Sequence, residues 1–132
     1  MSQANVEVAQ RCIDAYNQRD IEALRVLNDP DVEVDWSASL GIEADVYRGI
    51  DAVLRFFAGY FDAFEEITIE PDRFVDAGES VVVPNVARVR GRDGIEASAR
   101  STLVYTVRRH RVTRICLYHE TGQALQVLGL AE

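Results

Sequence analysis

The sequence predicts an α+β domain in which N-terminal helices pack against a long, curved antiparallel sheet. Apolar residues recur at helical spacing in the first half of the chain, whereas the second half consists of β-branched segments separated by turn residues. No linker, repeat or low-complexity stretch interrupts the sequence, so residues 1–132 are expected to form a single domain. A sheet that curls around helices leaves an apolar cavity with one open mouth, where small molecules usually bind.

Four helices are predicted from apolar periodicity and from the residues that begin or end a helix. The first spans residues 5–18. Asp20 is placed to cap a second, short helix, which ends before Pro30 because proline disfavours a helical conformation in the residue that precedes it. The third helix spans residues 49–64 and carries an apolar face wide enough to pack on a sheet. A closing helix over residues 121–128 ends at a glycine.

Strands are predicted where apolar and polar residues alternate or where β-branched residues dominate. Val32, Val34 and Trp36 alternate with polar residues and mark the first strand, and residues 37–44 are expected to form a loop. Pro84 has no N–H for a strand ladder and is expected to mark a β-bulge. The other strands are predicted at residues 46–48, 67–75, 80–90, 95–107 and 112–119, with turns at residues 76–78, 91–94 and 108–111.

The charge balance and the two cysteines narrow the functional classes. The chain has 22 acidic and 14 basic residues, and its net charge of −8 disfavours nucleic acid as a partner because phosphates attract clustered cations. No secretion signal is recognisable and no apolar run reaches the roughly 20 residues of a membrane span, so a cytoplasmic protein without a membrane partner is expected. Cys12 and Cys116 are expected to be buried free thiols.

Several stretches resemble NTF2-like proteins of the SnoaL-like kind. They are residues 20–33, an acidic helix followed by a strand, residues 47–53, which begin Tyr-Arg-Gly, and residues 74–78, 105–107 and 112–130. The resemblance covers nearly the whole chain and implies a cone in which the curved sheet wraps around the helices and encloses a pocket. Because this fold hosts enzymes, carriers and protein-binding modules, the resemblance indicates the fold well and the reaction poorly.

The resemblance also implies a homodimer formed through the outer face of the sheet. Four residues whose side chains are predicted to point outward are compatible with such a surface: Val82, Val86, Cys116 and Tyr118.

The catalytic motifs of the best-known enzymes with this fold are absent from the sequence. The oxyanion-binding tyrosine of ketosteroid isomerases falls on Cys12, and their proton-shuttling aspartate falls on Trp36, which cannot carry a proton. The arginine and the two aspartates of limonene epoxide hydrolase fall on Asn85, Ala87 and Leu117. The resemblance therefore carries over the pocket without those reactions.

His119 is the predicted catalytic residue. If Asn85 and Leu117 face the pocket, period-two alternation places His119 on the same face, and an imidazole can donate or accept a proton near neutral pH. The alternative is a histidine at the rim that is hydrogen-bonded to solvent or to Glu120. His110 and His119 lie at opposite ends of one strand, and no metal site or cofactor site is expected.

Aromatic and polar side chains are the predicted ligand-binding residues. Asn85 is a polar residue on an apolar strand, so the backbone, water or a ligand must satisfy its amide. Tyr60 and Tyr105 could also line the cavity, although core packing explains them equally well. The predicted ligand-binding residues are Trp36, Asn85, Tyr16, Tyr47, Cys12 and Leu117.

The basic residues of the long strands are interpreted as structural. Arg88 and Arg100 are expected to pair across the strands with Glu79 or Glu96, with a substrate-carboxylate role for Arg100 as the alternative. The basic run at residues 108–111 is interpreted as a solvated hairpin tip.

Two functions remain open from the sequence alone. One is a cofactor-free cyclase or isomerase in which His119 moves a proton on a small apolar substrate. The other is a non-catalytic domain that binds an apolar ligand or a partner protein.

Overall fold

A computed structural model describes residues 2–39 and 44–129, and therefore leaves out part of the predicted loop at residues 37–44. The elements in chain order are α1 (Ser2–Asn17), α2 (Ile21–Leu27), β1 (Asn28–Asp35), β2 (Val46–Arg48), α3 (Ile50–Ala63), β3 (Glu66–Pro71), β4 (Val75–Ala77), β5 (Ser80–Arg90), β6 (Glu96–Arg108), β7 (Arg111–Tyr118) and α4 (Thr121–Val127).

The strands form a curved, unclosed sheet in the order β2-β1-β7-β6-β5-β3, and β4 pairs with the beginning of β5. The predicted antiparallel pairing holds for every pair except one, because β1 pairs with β7 in parallel. The long strands β5, β6 and β7 occupy the middle of the sheet. Helices α1, α2 and α3 cover its inner face, so the α+β architecture that the sequence predicts is confirmed.

The main core lies between the inner face of the sheet and one stripe of each long helix. On α1, Ala9, Cys12 and Ile13 are nearly inaccessible to solvent because they lie on the face that contacts the sheet. On α3 the buried stripe is largely aromatic, with Phe56, Phe57 and Phe61 facing inward. Burial of apolar area at about 25 cal/mol per Å² makes these contacts the main stabilising contribution.

The turn between α1 and α2 fixes the position of α3 through Arg19. Asp20 caps α2 as predicted, since its carboxylate accepts the backbone N–H of Ala23 at 3.0 Å. Arg19 has a φ of 56°, and its guanidinium donates to the carbonyl oxygens of Phe61, Phe64 and Glu65 at 2.9, 3.1 and 2.7 Å. These carbonyls lie at the end of α3 and at the chain that leaves it, so a cation satisfies acceptors that the helix itself leaves free.

The β-bulge predicted at Pro84 is wrong. Pairing of β5 with β6 continues without a register shift, with Val83 opposite Leu103 and Asn85 opposite Ser101. On its other side, β5 changes partner at this point from β4 to β3. Pro84 therefore lies at a junction between two neighbouring strands, where an interruption of the ladder is already present.

The outer face of the sheet is partly covered by the chain itself. Helix α4 packs there, and Ala124 forms a small second core with Val82 and Val104. Val82 is inaccessible to solvent and Cys116 is buried. The prediction that these two residues belong to an exposed outer surface is therefore wrong. Tyr118 also packs against this second core, as a partly buried residue.

None of the described helices is long and apolar enough to span a membrane. Both cysteines are buried free thiols, as the sequence predicts.

Candidate functional site

A cavity of about 390 Å³ lies between the inner face of the sheet and helices α1 and α3. Alternation along the strands places its walls, because every second side chain of a strand points to the same face. Strand β5 contributes Asn85, Ala87 and Val89, while β7 contributes Ile115 and Leu117. From β6 come Ala99, Ser101, Leu103 and Tyr105.

The cavity is closed at one end and open at the other. Cys12, Leu24 and Tyr105, which lie at the closed end, are almost fully buried. Ala99 and His119, at the opposite end, are exposed. A ligand would therefore enter between the end of α3 and the free ends of the long strands, and its leading part would reach α1.

Six of the seven predicted site residues line this one cavity: Cys12, Tyr16, Trp36, Asn85, Leu117 and His119. Tyr47 does not. Its ring stacks on Phe56 with centroids 4.2 Å apart, and it lines a separate shallow depression with Arg55 and Gly59. Tyr47 lies on β2 at the edge of the sheet, so the ring of Phe56 stands between it and the cavity.

Asn85 is held by two partners within the protein. The side chain is 1% exposed, its Nδ2 donates to the carbonyl oxygen of Val83 at 2.9 Å, and its Oδ1 accepts from Ser101 Oγ at 3.3 Å. The amide is thus oriented before any ligand binds, which lowers the cost of using it for recognition.

A row of polar side chains crosses the inner face near the mouth. Asn85 and Ser101 are directly opposite each other on β5 and β6. The last pair of β6 with β7 is Thr102 with Tyr118, so Ser101 and His119 occupy the next position along these strands. Ser101 was not among the predicted site residues, although alternation from Leu103 places it on the cavity face.

His119 lies at the mouth with its side chain exposed to solvent. It makes no hydrogen bond to any residue that the structure describes. The imidazole therefore has access both to solvent and to the cavity. Among the described residues, no second titratable group is hydrogen-bonded to it that could hold it in a fixed orientation.

Aromatic rings form the wall opposite the sheet. Trp36 packs edge-on against Phe56 with centroids 5.4 Å apart, and its Nε1 donates to the hydroxyl of Tyr60 at 3.1 Å. Tyr16 packs edge-on against Phe57 at 5.5 Å. Such a wall favours a ligand with a flat ring, which can stack on it or pack against its edges.

Three groups at the closed end are held in their neutral forms. Burial raises the pKa of the Cys12 thiol to about 12, with a smaller opposing effect from the amide of Asn28. Burial also raises the pKa of Tyr105 well above its usual value, and the nearby Cys12 and Tyr16 add to this effect. Burial and then the neighbouring Tyr60 raise the pKa of Tyr16, against a smaller effect of Arg19. The closed end thus offers neutral hydrogen-bond donors near neutral pH.

No carboxylate lines the cavity within the described ranges, in a chain whose net charge is −8. Arg100 borders the cavity, but alternation directs its side chain to the outer face, where Nη1 lies 2.7 Å from Asp72 Oδ2. Asp35 also lies on the outer face and pairs with Arg114 at 3.1 Å. The cavity is therefore a low-dielectric space bordered by neutral side chains and by His119.

The predicted partners of the strand arginines are wrong. Arg88 pairs with Glu70 at 2.9 Å and Arg100 pairs with Asp72, both from β3 or the residues that follow it. Glu79 instead pairs with Arg108 at 3.4 Å. These partners come from a strand order that the sequence pattern does not specify.

The basic run at residues 108–111 forms the tip of the β6–β7 hairpin, as predicted. Arg109 and His110 have φ values of 53° and 66° and are exposed. No group of three or more potential metal ligands is present among the residues that the structure describes.

Comparison with known proteins identifies the fold. A family model described as a SnoaL-like domain matches residues 9–115. No curated protein matches the sequence. An NTF2-like protein of unknown function from Burkholderia pseudomallei superposes with a TM-score of 0.77 at 21% identity, over 95% of this chain and 97% of that one.

Two similar structures contain bound ring compounds. TerC, co-crystallised with polyporic acid, superposes with a TM-score of 0.75 at 22% identity, over 96% of this chain and 98% of that one. A Mycobacterium tuberculosis protein in complex with estradiol-17β-hemisuccinate superposes with a TM-score of 0.77 at 17% identity, over 89% of this chain and 94% of that one. At these identities the similarity shows the shared fold.

Proposed function

Because the chain belongs to the SnoaL-like family, we propose that its cavity binds a small, apolar, ring-bearing molecule. The observation that carries this proposal is the 390 Å³ cavity with an aromatic wall, an apolar sheet face and a few fixed polar groups. This composition and size are typical of sites for small organic ligands. The ring compounds bound by two proteins of the same fold support the proposal.

The binding role is favoured over a catalytic one by the chemistry of the lining. Proton-transfer enzymes position an acid or a base by a second group, and the described lining offers no carboxylate for that role. Asn85, Ser101 and the aromatic wall can all orient a ligand without reacting with it.

The binding proposal is tested with N-phenyl-1-naphthylamine, a neutral dye whose fluorescence rises in apolar surroundings. Wild-type protein is expected to bind the dye with micromolar affinity. Ala87→Phe places a ring inside the cavity and should weaken binding by at least tenfold. Ser98→Phe is the matched control, because Ser98 is exposed and precedes the cavity-lining Ala99 on β6, so its side chain points to the outer face. Binding to this variant should stay within twofold of wild type. Absence of binding to the wild type, or equal loss in both variants, contradicts the proposal.

A second candidate function is cofactor-free isomerisation or cyclisation with His119 as the acid or base. The observation that favours it is the position of His119, an accessible imidazole at the mouth of an apolar cavity. It is tested by following the exchange of the α-protons of 2-tetralone in D₂O by NMR. Catalysed exchange that His119→Ala removes would support this function, and exchange no faster than in buffer would contradict it.

We also propose that the protein forms the homodimer that the family resemblance implies. Val86 and Tyr118 are the two residues of the predicted outer surface that remain partly exposed after α4 has covered Val82. Light scattering coupled to size-exclusion chromatography should give twice the mass of one chain. The mass of a single chain at micromolar concentration would contradict the dimer.

A further inference from the structure

Two buried tyrosine hydroxyls at the closed end of the cavity have no hydrogen-bond partner among the described residues. Tyr105 is 3% exposed and Tyr16 is 9% exposed, and both line the cavity. The third tyrosine of the described cavity lining, Tyr60, has a partner, because its hydroxyl accepts from Trp36 Nε1. The two unpartnered phenols are therefore a specific property of the closed end, which the leading part of a ligand would reach after entering at the mouth.

Both hydroxyls adjoin open space. In the described part of the chain, one buried side-chain oxygen or nitrogen has neither a hydrogen-bond partner nor accessible surface, and it is Asn28 Oδ1. The oxygens of Tyr16 and Tyr105 are not in that condition, and at their low exposure the opening that they adjoin is the cavity. A phenol that faces a cavity without a partner gains a hydrogen bond when an acceptor arrives.

The two phenols come from elements on opposite sides of the cavity. Tyr16 lies on α1, one helical turn after Cys12, whereas Tyr105 lies on β6 opposite Ile115 of β7. Both side chains line the same cavity, Tyr16 from the helix side and Tyr105 from the sheet side. One ligand oxygen between them can accept from both, because a carbonyl oxygen has two lone pairs.

The charge of the surroundings limits which acceptor fits. Among the described residues, no cationic side chain points into the closed end, since Arg100 is directed outward to Asp72 and Arg19 is bound to carbonyls at the end of α3. A carboxylate would lose its hydration there and gain only neutral donors, whereas a neutral carbonyl loses little hydration. An ammonium ion would find no carboxylate within the described lining.

We infer that the protein selects an uncharged ring compound that inserts a carbonyl-type oxygen between the hydroxyls of Tyr16 and Tyr105. This inference rests on the proposed binding function and adds to it the polarity and direction of the ligand. It also distinguishes the two ends of the ligand, because the part near the mouth meets Ser101 and His119 instead.

The test uses three probes of nearly the same shape: 2-acetylnaphthalene, 2-ethylnaphthalene and 2-naphthoate. Binding to wild-type protein is measured by calorimetry. The ketone is expected to bind about three- to thirtyfold more tightly than the hydrocarbon, since each hydrogen bond contributes a few-fold in affinity. The carboxylate is expected to bind at least tenfold more weakly than the ketone.

Removal of each hydroxyl separates hydrogen bonding from packing. In Tyr105→Phe and Tyr16→Phe, the ratio of ketone to hydrocarbon affinity should fall at least threefold, and in the double variant it should approach one. Tyr118→Phe, which alters a tyrosine on the outer face, should leave the ratio unchanged. The ratio compares two ligands on the same variant, so a general loss of stability does not change it.

A second readout is the ¹³C chemical shift of the labelled carbonyl carbon in the bound ketone. Hydrogen bonding should move this signal downfield from its position in hexane, and the double variant should return it most of the way. Tight binding of all three probes with an unchanged ratio and shift in the variants would overturn the inference while leaving the binding function intact. Failure of every probe to bind would overturn both.

Discussion

Trp36 donates its indole N–H to the hydroxyl of Tyr60 at 3.1 Å and so joins the residue that follows β1 to helix α3 across the wall of the cavity. The two rings also meet edge-on with centroids 6.5 Å apart. This contact fixes the indole of the one tryptophan in the chain, which makes its fluorescence a reporter of the cavity.

Tyr60→Phe removes the acceptor while it keeps the ring. The free energy of unfolding should fall by about 0.5–1.5 kcal/mol, the usual net contribution of one hydrogen bond. The emission maximum of Trp36 should move to shorter wavelength because its N–H loses a polar partner. Urea unfolding and emission spectra measure both effects, with Tyr118→Phe as the control. An unchanged spectrum together with unchanged stability would show that the hydrogen bond is not formed in solution.

Asp35→Asn should make the free energy of unfolding less dependent on pH in the acidic range. The hydroxyl of Ser37 lowers the pKa of Asp35 below its ordinary value of 3.8, burial opposes this effect, and the N–H of Ser37 together with Arg114 adds to it. A lowered pKa in the folded state means that the carboxylate stabilises the protein above pH 3.8, and that this contribution is lost as the pH falls through the folded pKa.

The expected loss in Asp35→Asn at pH 7 is below about 1 kcal/mol, because ion pairs with partly exposed groups are screened by solvent. The difference between variant and wild type should shrink as the pH is lowered from 5 to 3. Urea unfolding at a series of pH values measures it. A difference that stays constant over this range would refute the assignment of the stabilising effect to the ionised carboxylate.

Arg19→Leu should destabilise the protein by about 1–2 kcal/mol. The substitution leaves three carbonyl oxygens at the end of α3 without their charged donor, and hydrogen bonds to charged groups contribute more than neutral ones. Chemical unfolding gives the value. Arg11→Leu on the exposed face of α1 serves as the control and should change stability by less than about 0.5 kcal/mol. Equal effects of the two substitutions would mean that water replaces the guanidinium at no cost.

Cys12 should be almost unreactive in the folded protein. The measurement uses a Cys116→Ala background, so that Cys12 is the one remaining thiol, and Ellman's reagent at pH 8. With a pKa of about 12 against the ordinary value of 9.0, the thiolate fraction is roughly a thousandfold smaller in the folded than in the unfolded chain. The reaction should therefore be at least that much slower without urea. Comparable rates in the two states would show that the thiol is not buried as described.

Much of the fold was predictable because its signals are local. Alternation and β-branched residues predicted β5 with the same limits, residues 80–90, that the structure has. The carboxylate of Asp20 predicted the start of α2 for a reason that depends on three residues only. The inward direction of Leu117 followed from period-two geometry, which holds in any strand.

The remaining features depend on which strands become neighbours, and this information is not local. The ion pairs of Arg88 and Arg100 follow from the position of β3 at the edge of the sheet, which no periodicity in the sequence indicates. Tyr47 was predicted to line the cavity from its residue type, but its position depends on the ring of Phe56. Pro84 resembles a bulge residue in the sequence, and only the change of partner from β4 to β3 explains its place in the structure.

The parallel pairing of β1 with β7 has a consequence for the order in which the molecule is assembled. Arg114 of β7 contacts Glu33 and Asp35 of β1 across 81 and 79 residues of chain. Contacts between such distant segments form slowly because a long loop must close before they stabilise anything. During synthesis, β1 and β2 leave the ribosome long before the strand that joins them to the rest of the sheet. We therefore expect the sheet side of the cavity, to which β7 contributes Ile115 and Leu117, to be completed late in folding.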